Sequence, residues 1–354
     1  MPADLESAKR NAELIRFSGD RVHHHNFSDT DRTRTIRDAF YKTGLLVSEQ
    51  TTPTLAKEFA SLCDRLSLPR DCMEAFVYAS PEIQAECFAG SIDQCTVRFS
   101  SALVNLLDED EFSFVAGHEI GHFLLGHGHA SHSGQESIEH FMQMRAQEIS
   151  VDRCGLIACG DLQTAIRALM KSVSGLGRRF LRFDAATFIS QLSRLSSGAR
   201  GESLANTHPS MIIRCRALLW FSMDNDLSAY PGAIDRRQID QLDERVSADL
   251  NKYVDGPARE RIEASKTNLA IWMAAREIIR DGKFERREQE QFRSLFGEKT
   301  LQKLTAFLSG LRSDEVKDAV YERVKASREE LESVIPQSFE AVIREIESRV
   351  NRFF

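Results

Sequence analysis

The five residues His118-Glu119-Ile120-Gly121-His122 restrict this chain more than any other stretch, because their pattern has a use only on a helix. Two histidines four positions apart stand one turn from each other and share a helix face. The flanks supply that helix. Asp108 stands where an N-cap belongs and Glu111 follows three residues later, a capping-box pair. The acidic run Asp108-Glu109-Asp110-Glu111 complements the positive end of the helix dipole. Phe112, Val115, Phe123 and Leu124 supply apolar packing, and Gly126 and Gly128 stop the helix.

Two imidazoles on one face can hold one zinc ion, and Glu119, next to the first of them, can reach a water on the metal without ligating it. That places Glu119 as general base. A zinc site needs a third protein ligand. The extended pattern with a third histidine fails, since Leu125 and Gly128 occupy its Gly and His positions. Most of His127, His129, His132 and His140 therefore read as polar loop residues; the other reading is that one of them lines the site. The better candidate is Glu148, in QEISVDRCGL at 147–156. On a helix Asp152 lies one turn beyond it, placed to orient a ligand histidine through the ring's free N–H. Gly155, on the same face, allows a close approach of two helices. His118, His122 and Glu148 leave the fourth position open, as a catalytic zinc site requires. The expected cofactor is one zinc ion per chain.

Charge and cysteine content narrow the classes. The net charge is −7, without the basic excess of a nucleic-acid binder, and the cluster Arg178, Arg179, Arg182 reads as a solvated face. Seven cysteines, an odd number with no Cys-x-x-Cys pair, argue against a disulfide framework and for a reducing compartment. The first residues lack an apolar run, and no stretch approaches the roughly 20 apolar residues of a membrane helix. The expectation is a cytoplasmic protein with no membrane insertion and no nucleic-acid partner.

Along the chain, residues 1–35 read as a polar N-terminal leader, with the run His23-His24-His25 exposed rather than metal-binding, since adjacent helix residues point apart. Residues 36–68 read as helical, with Pro53 at a first turn. Ala75–Tyr78 and Cys95–Phe99 have strand composition, with a turn at Gly90–Asp93 between them. From 235 to 354 the chain reads as an all-helical domain, broken at Asp255-Gly256-Pro257 and Ser309-Gly310 and closed by one long helix over about 313–350. Asp281-Gly282-Lys283 lacks the alternating acids of a calcium loop. The expected fold is α+β: a mostly helical metallopeptidase domain with a small sheet over 36–230, then the helical domain.

Three motifs in order carry a family resemblance. FSSALVNLLDEDEFSFVAGHEIGHFLLGH at 99–127 resembles the core of the HtpX-like zinc metallopeptidases, the gluzincin group that includes the CAAX prenyl endopeptidases. EISVDRCGL at 148–156 is similar to that family's Glu-x-x-x-Asp-Arg-x-Gly helix, and THPSMIIR at 207–214 to its Thr-His-Pro…Arg motif. The resemblance covers roughly 50–220 and implies a zincin-type fold. It further implies that His208 stabilises the oxyanion and that Arg214 stands near the metal-site carboxylates. Glu86-Cys87-Phe88-Ala89-Gly90 aligns with the family's Asn-Ala-Phe-Ala edge, departing from it at Glu86 and Cys87. Cys87, Phe88 and Ala89 would then be the edge strand that holds substrate; the other reading is an ordinary buried strand. Many family members carry membrane helices and this chain has none. Residues 274–297 resemble tellurite-resistance TerB-like helical domains.

The expected function is a zinc endopeptidase acting on protein or peptide substrates, with a protein partner for the C-terminal helices. The alternative is a zinc-stabilised, non-catalytic or latent interaction protein whose helical C-terminal domain recruits partners. An intact Glu119 speaks for turnover, since a scaffold has no need of a base.

Overall fold

The computed structural model describes residues 4–21, 30–89, 93–127, 137–182, 184–194, 208–281 and 284–353. The fold is α+β and mostly helical, as its sequence patterns require. The element order is α1 (Leu5–Leu14), α2 (Thr30–Thr43), β1 (Leu45–Leu46), α3 (Pro53–Arg65), β2 (Met73–Tyr78), β3 (Ala85–Ala89), β4 (Cys95–Ser100), α4 (Ser101–Leu106) and α5 (Glu109–Leu124). Then follow α6 (Ile138–Cys159), α7 (Leu162–Ser174), α8 (Ala185–Ser190), α9 (Met211–Asp224) and α10 (Arg236–Leu250). The last five are α11 (Gly256–Ile278), α12 (Arg286–Phe296), α13 (Glu298–Ser309), α14 (Val316–Val334) and α15 (Phe339–Phe353).

The chain divides into two units. One comprises Met1–Ser133, Gln143–Glu202 and Asn206–Val254; the other comprises Gly134–Met142, Ser203–Ala205 and Asp255–Phe354. In the first, a four-stranded sheet runs in the order β1-β2-β4-β3. β1 is antiparallel to β2, β2 parallel to β4, and β3 antiparallel to β4. β4 is central, so five of its six residues, Cys95, Thr96, Val97, Phe99 and Ser100, are buried. β3 is an outer strand, lies against α5, and pairs Glu86 with Arg98, Cys87 with Val97 and Phe88 with Thr96. Ser100 closes β4 and caps α4, its hydroxyl accepting from the Leu103 N–H.

α5 and α6 cross with almost no side chain between them. A Cβ on Gly155 would lie 2.7 Å from the Phe114 carbonyl oxygen, and one on Gly117 would lie 2.3 Å from the Ala158 Cβ. A Cβ on Gly121 would lie 2.9 Å from the Cys154 Cβ. The contact needs glycine on both helices, which brings the first turns after Phe114 and the last turns of α6 close enough to share a ligand cluster. Pro53 opens α3 at its first turn, where a missing N–H costs nothing.

The polar leader expected over 1–35 is corrected for its described part. Ala8, Ala12, Ile15 and Phe17 are buried in the core of the first unit, a stripe hidden by the charged residues around it. The His23–His25 run lies outside the described residues, as do Gly90, Gly128, Gly282 and Lys283.

The second unit has its own core of Leu269, Met273, Ile278, Phe292, Leu331 and Ile343 among others. The single long helix expected over 313–350 is two helices, α14 and α15. Pro336 explains the break: it has no N–H to donate and excludes helical geometry at Ile335, which adopts φ −131°, ψ 57°. The Glu139 carboxylate then accepts from the Gln337 and Ser338 N–H groups at 2.9 and 3.2 Å. No described helix is long and apolar enough to cross a membrane. All seven cysteines are free and buried.

Candidate metal centre

The site is built from α5 outward, within the first unit. The Asp108 N–H donates to the Glu111 carboxylate at 2.9 Å, completing the capping box. Glu111 is fully buried, and Lys171 and Arg167 of α7 pair with it at 2.5 and 3.1 Å. Gly126, at φ +69°, turns the chain out of the helix, as the sequence predicts. The helix that carries His118 and His122 is therefore fixed at both ends.

His118, His122 and Glu148 each offer a ligand atom, and these atoms lie within 4.8 Å of one another. Nε2 of His118 is 3.5 Å from Oε2 of Glu148, and Nε2 of His122 is 3.7 Å from its Oε1. Two imidazole nitrogens and one carboxylate are the donor chemistry of a catalytic zinc site. Among the described residues the buried Oε2 of Glu148 has no hydrogen-bond partner, an exception that a cation at the cluster would remove. The residues thus fit the ion.

Around these three candidate ligands stands a second row of charges. Nδ1 of His118 lies 3.0 Å from Oδ1 of Asp152. Arg214, on α9, grips the same carboxylate with two hydrogen bonds, Nε to Oδ2 at 2.8 Å and Nη2 to Oδ1 at 2.6 Å. Its Nη2 is also 3.4 Å from Oε2 of Glu148. Burial opposes the Asp152 carboxylate, yet Arg214 and the His118 hydrogen bond hold its pKa down at about 2. Burial likewise opposes protonation of His118, but Glu148 and Asp152 outweigh it and raise its pKa.

Glu119 is half-buried beside His118. Burial pushes its pKa up to about 7, with Glu148 and Glu86 adding repulsion while His118 and Arg214 oppose it. Glu86 belongs to β3, so that strand passes beside the carboxylate. His208, just ahead of α9, reaches the cluster from the open side: Nε2 is 3.5 Å from Oε1 of Glu148, and its side chain is 60% exposed.

Of the other histidines, His127 has a buried side chain and meets Nδ1 of His122 without joining the three clustered ligand atoms. His140 lies in the second unit. His129 and His132 fall outside the described residues. Sequence reasoning missed Asp20, which bonds to His127; no motif signals it, because it stands 107 residues away.

Cys87, Phe88 and Ala89 lie on β3 as the edge reading requires, but they are not equivalent. Ser100 N–H donates to Gln84 O, which makes positions 84, 86 and 88 the hydrogen-bonded pairs of the β3–β4 ladder. The backbone groups of Cys87 and Ala89 therefore point to the outer edge, and those of Phe88 point to β4.

Residues 49–144 match the model of Peptidase family M48, a span that holds β2, β3, β4 and the HEIGH helix and stops short of Glu148. No curated protein and no solved structure matches the chain. The TerB-like likeness of the C-terminal helices finds no support in the comparisons. Over residues 49–144 the chain is similar to the M48 metallopeptidases, a family of HtpX-like type.

Proposed function

We propose that this protein is a zinc-dependent endopeptidase that hydrolyses peptide bonds in protein or peptide substrates. The observation that carries the reading is the convergence of His118, His122 and Glu148 on one point beside Glu119. The two histidine Nε2 atoms and the Glu148 carboxylate would hold the ion. When bound, zinc supplies Lewis acidity to an attacking water and to the scissile carbonyl.

The chain's own residues do the rest. Glu119 takes a proton from the attacking water at its carboxylate and passes it to the leaving amine; a raised pKa suits a group that must both accept and return a proton near neutrality. Asp152, locked by Arg214, fixes the ring of His118 through Nδ1, so that Nε2 faces the cluster. His208 stands on the open side, where its ring can donate to the oxygen that gains charge. If it does, His208→Ala lowers kcat by about 10²–10³-fold with zinc retained. Steady-state kinetics alongside metal content check this, and an unchanged kcat removes His208 from the chemistry.

Substrate would lie extended along β3, since an outer strand offers backbone hydrogen bonds regardless of sequence. Ala89→Pro deletes one outward donor. The loss of one hydrogen bond, roughly 0.5–1.5 kcal/mol, raises KM by about 2–10-fold. Phe88→Pro breaks the ladder to Thr96 instead and should cost stability before it costs binding. Equal KM for Ala89→Pro and wild type would mean that substrate does not pair with this edge.

The whole reading is tested by metal removal. The purified chain should carry about one zinc and cleave an unstructured peptide; a chelator should stop cleavage, and added zinc should restore it. A chain that binds zinc yet cleaves no peptide or unfolded protein returns the balance to the interaction-protein alternative.

A further inference from the structure

The two histidine ligands are backed differently. Behind His118 stands a carboxylate. Behind His122 stands another imidazole: its Nδ1 lies 3.1 Å from Nδ1 of His127. Nε2 of His127 in turn lies 2.9 Å from Oδ2 of Asp20. A single choice of tautomers satisfies the row. With Nε2 of His122 facing Glu148, its Nδ1–H donates to Nδ1 of His127, whose Nε2–H donates to Asp20.

The two outer members of the row are shut off from water. The side chain of His127 is 4% exposed and that of Asp20 is 0% exposed. Asp20 cannot swing away. Ser150 Oγ donates to its Oδ2 at 2.6 Å, Gln143 Nε2 donates to its Oδ1 at 3.0 Å, and Arg16 Nη1 lies 3.2 Å from Oδ2.

Asp20 arrives on a strap of backbone, residues 15–20, that is itself tied down. Arg153 donates to the Ile15 carbonyl at 2.9 Å, the Phe17 N–H donates to Ser150 Oγ at 3.1 Å, and the Ser18 N–H donates to Asp243 at 2.7 Å. Arg16 donates to the Leu125 carbonyl at 2.6 Å, at the end of the helix that carries both histidine ligands. Three separate elements, α5, α6 and α10, hold these six residues. Such an outlay of buried polar contacts on a short stretch fits a segment that holds something else in place.

We propose that Asp20 and His127 are positioning residues for the metal, so that the N-terminal strap fixes the ring of His122 through a two-membered row. The inference rests on the zinc reading of the site. Outer partners of metal-bound histidines typically contribute about 10–100-fold in metal affinity.

The test is competition between the full chain and a chromophoric chelator for Zn²⁺, with visible spectra of the Co²⁺-loaded protein as a second readout. His127→Phe keeps a ring of similar size and removes both nitrogens. Asp20→Asn keeps the shape of the carboxylate and removes its charge. His127→Gln returns a hydrogen-bond acceptor. The expected result is a loss of zinc affinity of about 10–100-fold in His127→Phe and a smaller loss in Asp20→Asn, with altered Co²⁺ bands and partial recovery in His127→Gln. Wild-type zinc affinity in both His127→Phe and Asp20→Asn overturns the proposal. So does an equal loss in His127→Phe and His127→Gln with unchanged Co²⁺ bands, which would assign His127 to packing alone. A wild-type chain that takes up no zinc overturns the peptidase reading and this one with it, whereas variants matching a zinc-binding wild type overturn this one only.

Discussion

Glu119→Gln is expected to keep about one equivalent of zinc and to lower kcat by about 10²–10⁴-fold, the usual contribution of a positioned general base. The substitution removes a proton acceptor without removing a ligand. It also removes a charge that the fold tolerates poorly, since Glu119 is half-buried and faces both Glu148 and Glu86. The thermal midpoint should accordingly hold or rise. Metal analysis, peptide kinetics and a melting curve on the same preparation check all three. Turnover near wild type would sink the mechanism, because the other carboxylates that meet the site are engaged elsewhere, Asp152 by Arg214 and Glu86 by Arg98.

The ligand series should behave in the opposite way. His118→Ala, His122→Ala and Glu148→Ala each take away one of three donors, so zinc and hydrolysis should be lost together. Asp152→Asn should be milder, weakening zinc by about 10–100-fold, because Arg214 and the His118 ring still find an oxygen at that position. Equilibrium dialysis against zinc separates the two classes. Glu148→Ala is the sharpest of the four, because Glu148 lies outside the family match and its assignment stands on geometry. Tight zinc with full activity in that variant would move the third ligand elsewhere.

The legible parts of this molecule are those coded within one or two helical turns. The capping box, the HEIGH face and the Glu148/Asp152 pair are periodic patterns on single helices. Strands β2 and β4 were legible from their β-branched and aromatic content. What the sequence hid has three physical sources. The strap at residues 15–20 buries Ile15 and Phe17 between charged neighbours, so its composition reads as surface while its backbone is core. The His122–His127–Asp20 row depends on tertiary contact across the chain. At 313–350 the charge pattern continues in phase across Pro336, and the break shows only in what a proline does to the residue before it. On β3 the segment was identifiable, but which of Cys87, Phe88 and Ala89 turns its backbone outward follows from the register with β4.

The glycine contact between α5 and α6 has a consequence for how this protein can drift. Gly117 meets Ala158, Gly121 meets Cys154, and Gly155 meets the backbone of Phe114. Elsewhere in a core a lost or gained methyl group is absorbed by a rotamer change in a neighbour; here there is almost no side chain to rotate, and an added carbon must push one helix away from the other. His118 and His122 ride on one of those helices and Glu148 on the other. The spacing of the three candidate ligands is therefore inherited from main chain touching main chain. Libraries randomised together at 117, 121, 154, 155 and 158 should return only small residues, accepted in compensating pairs.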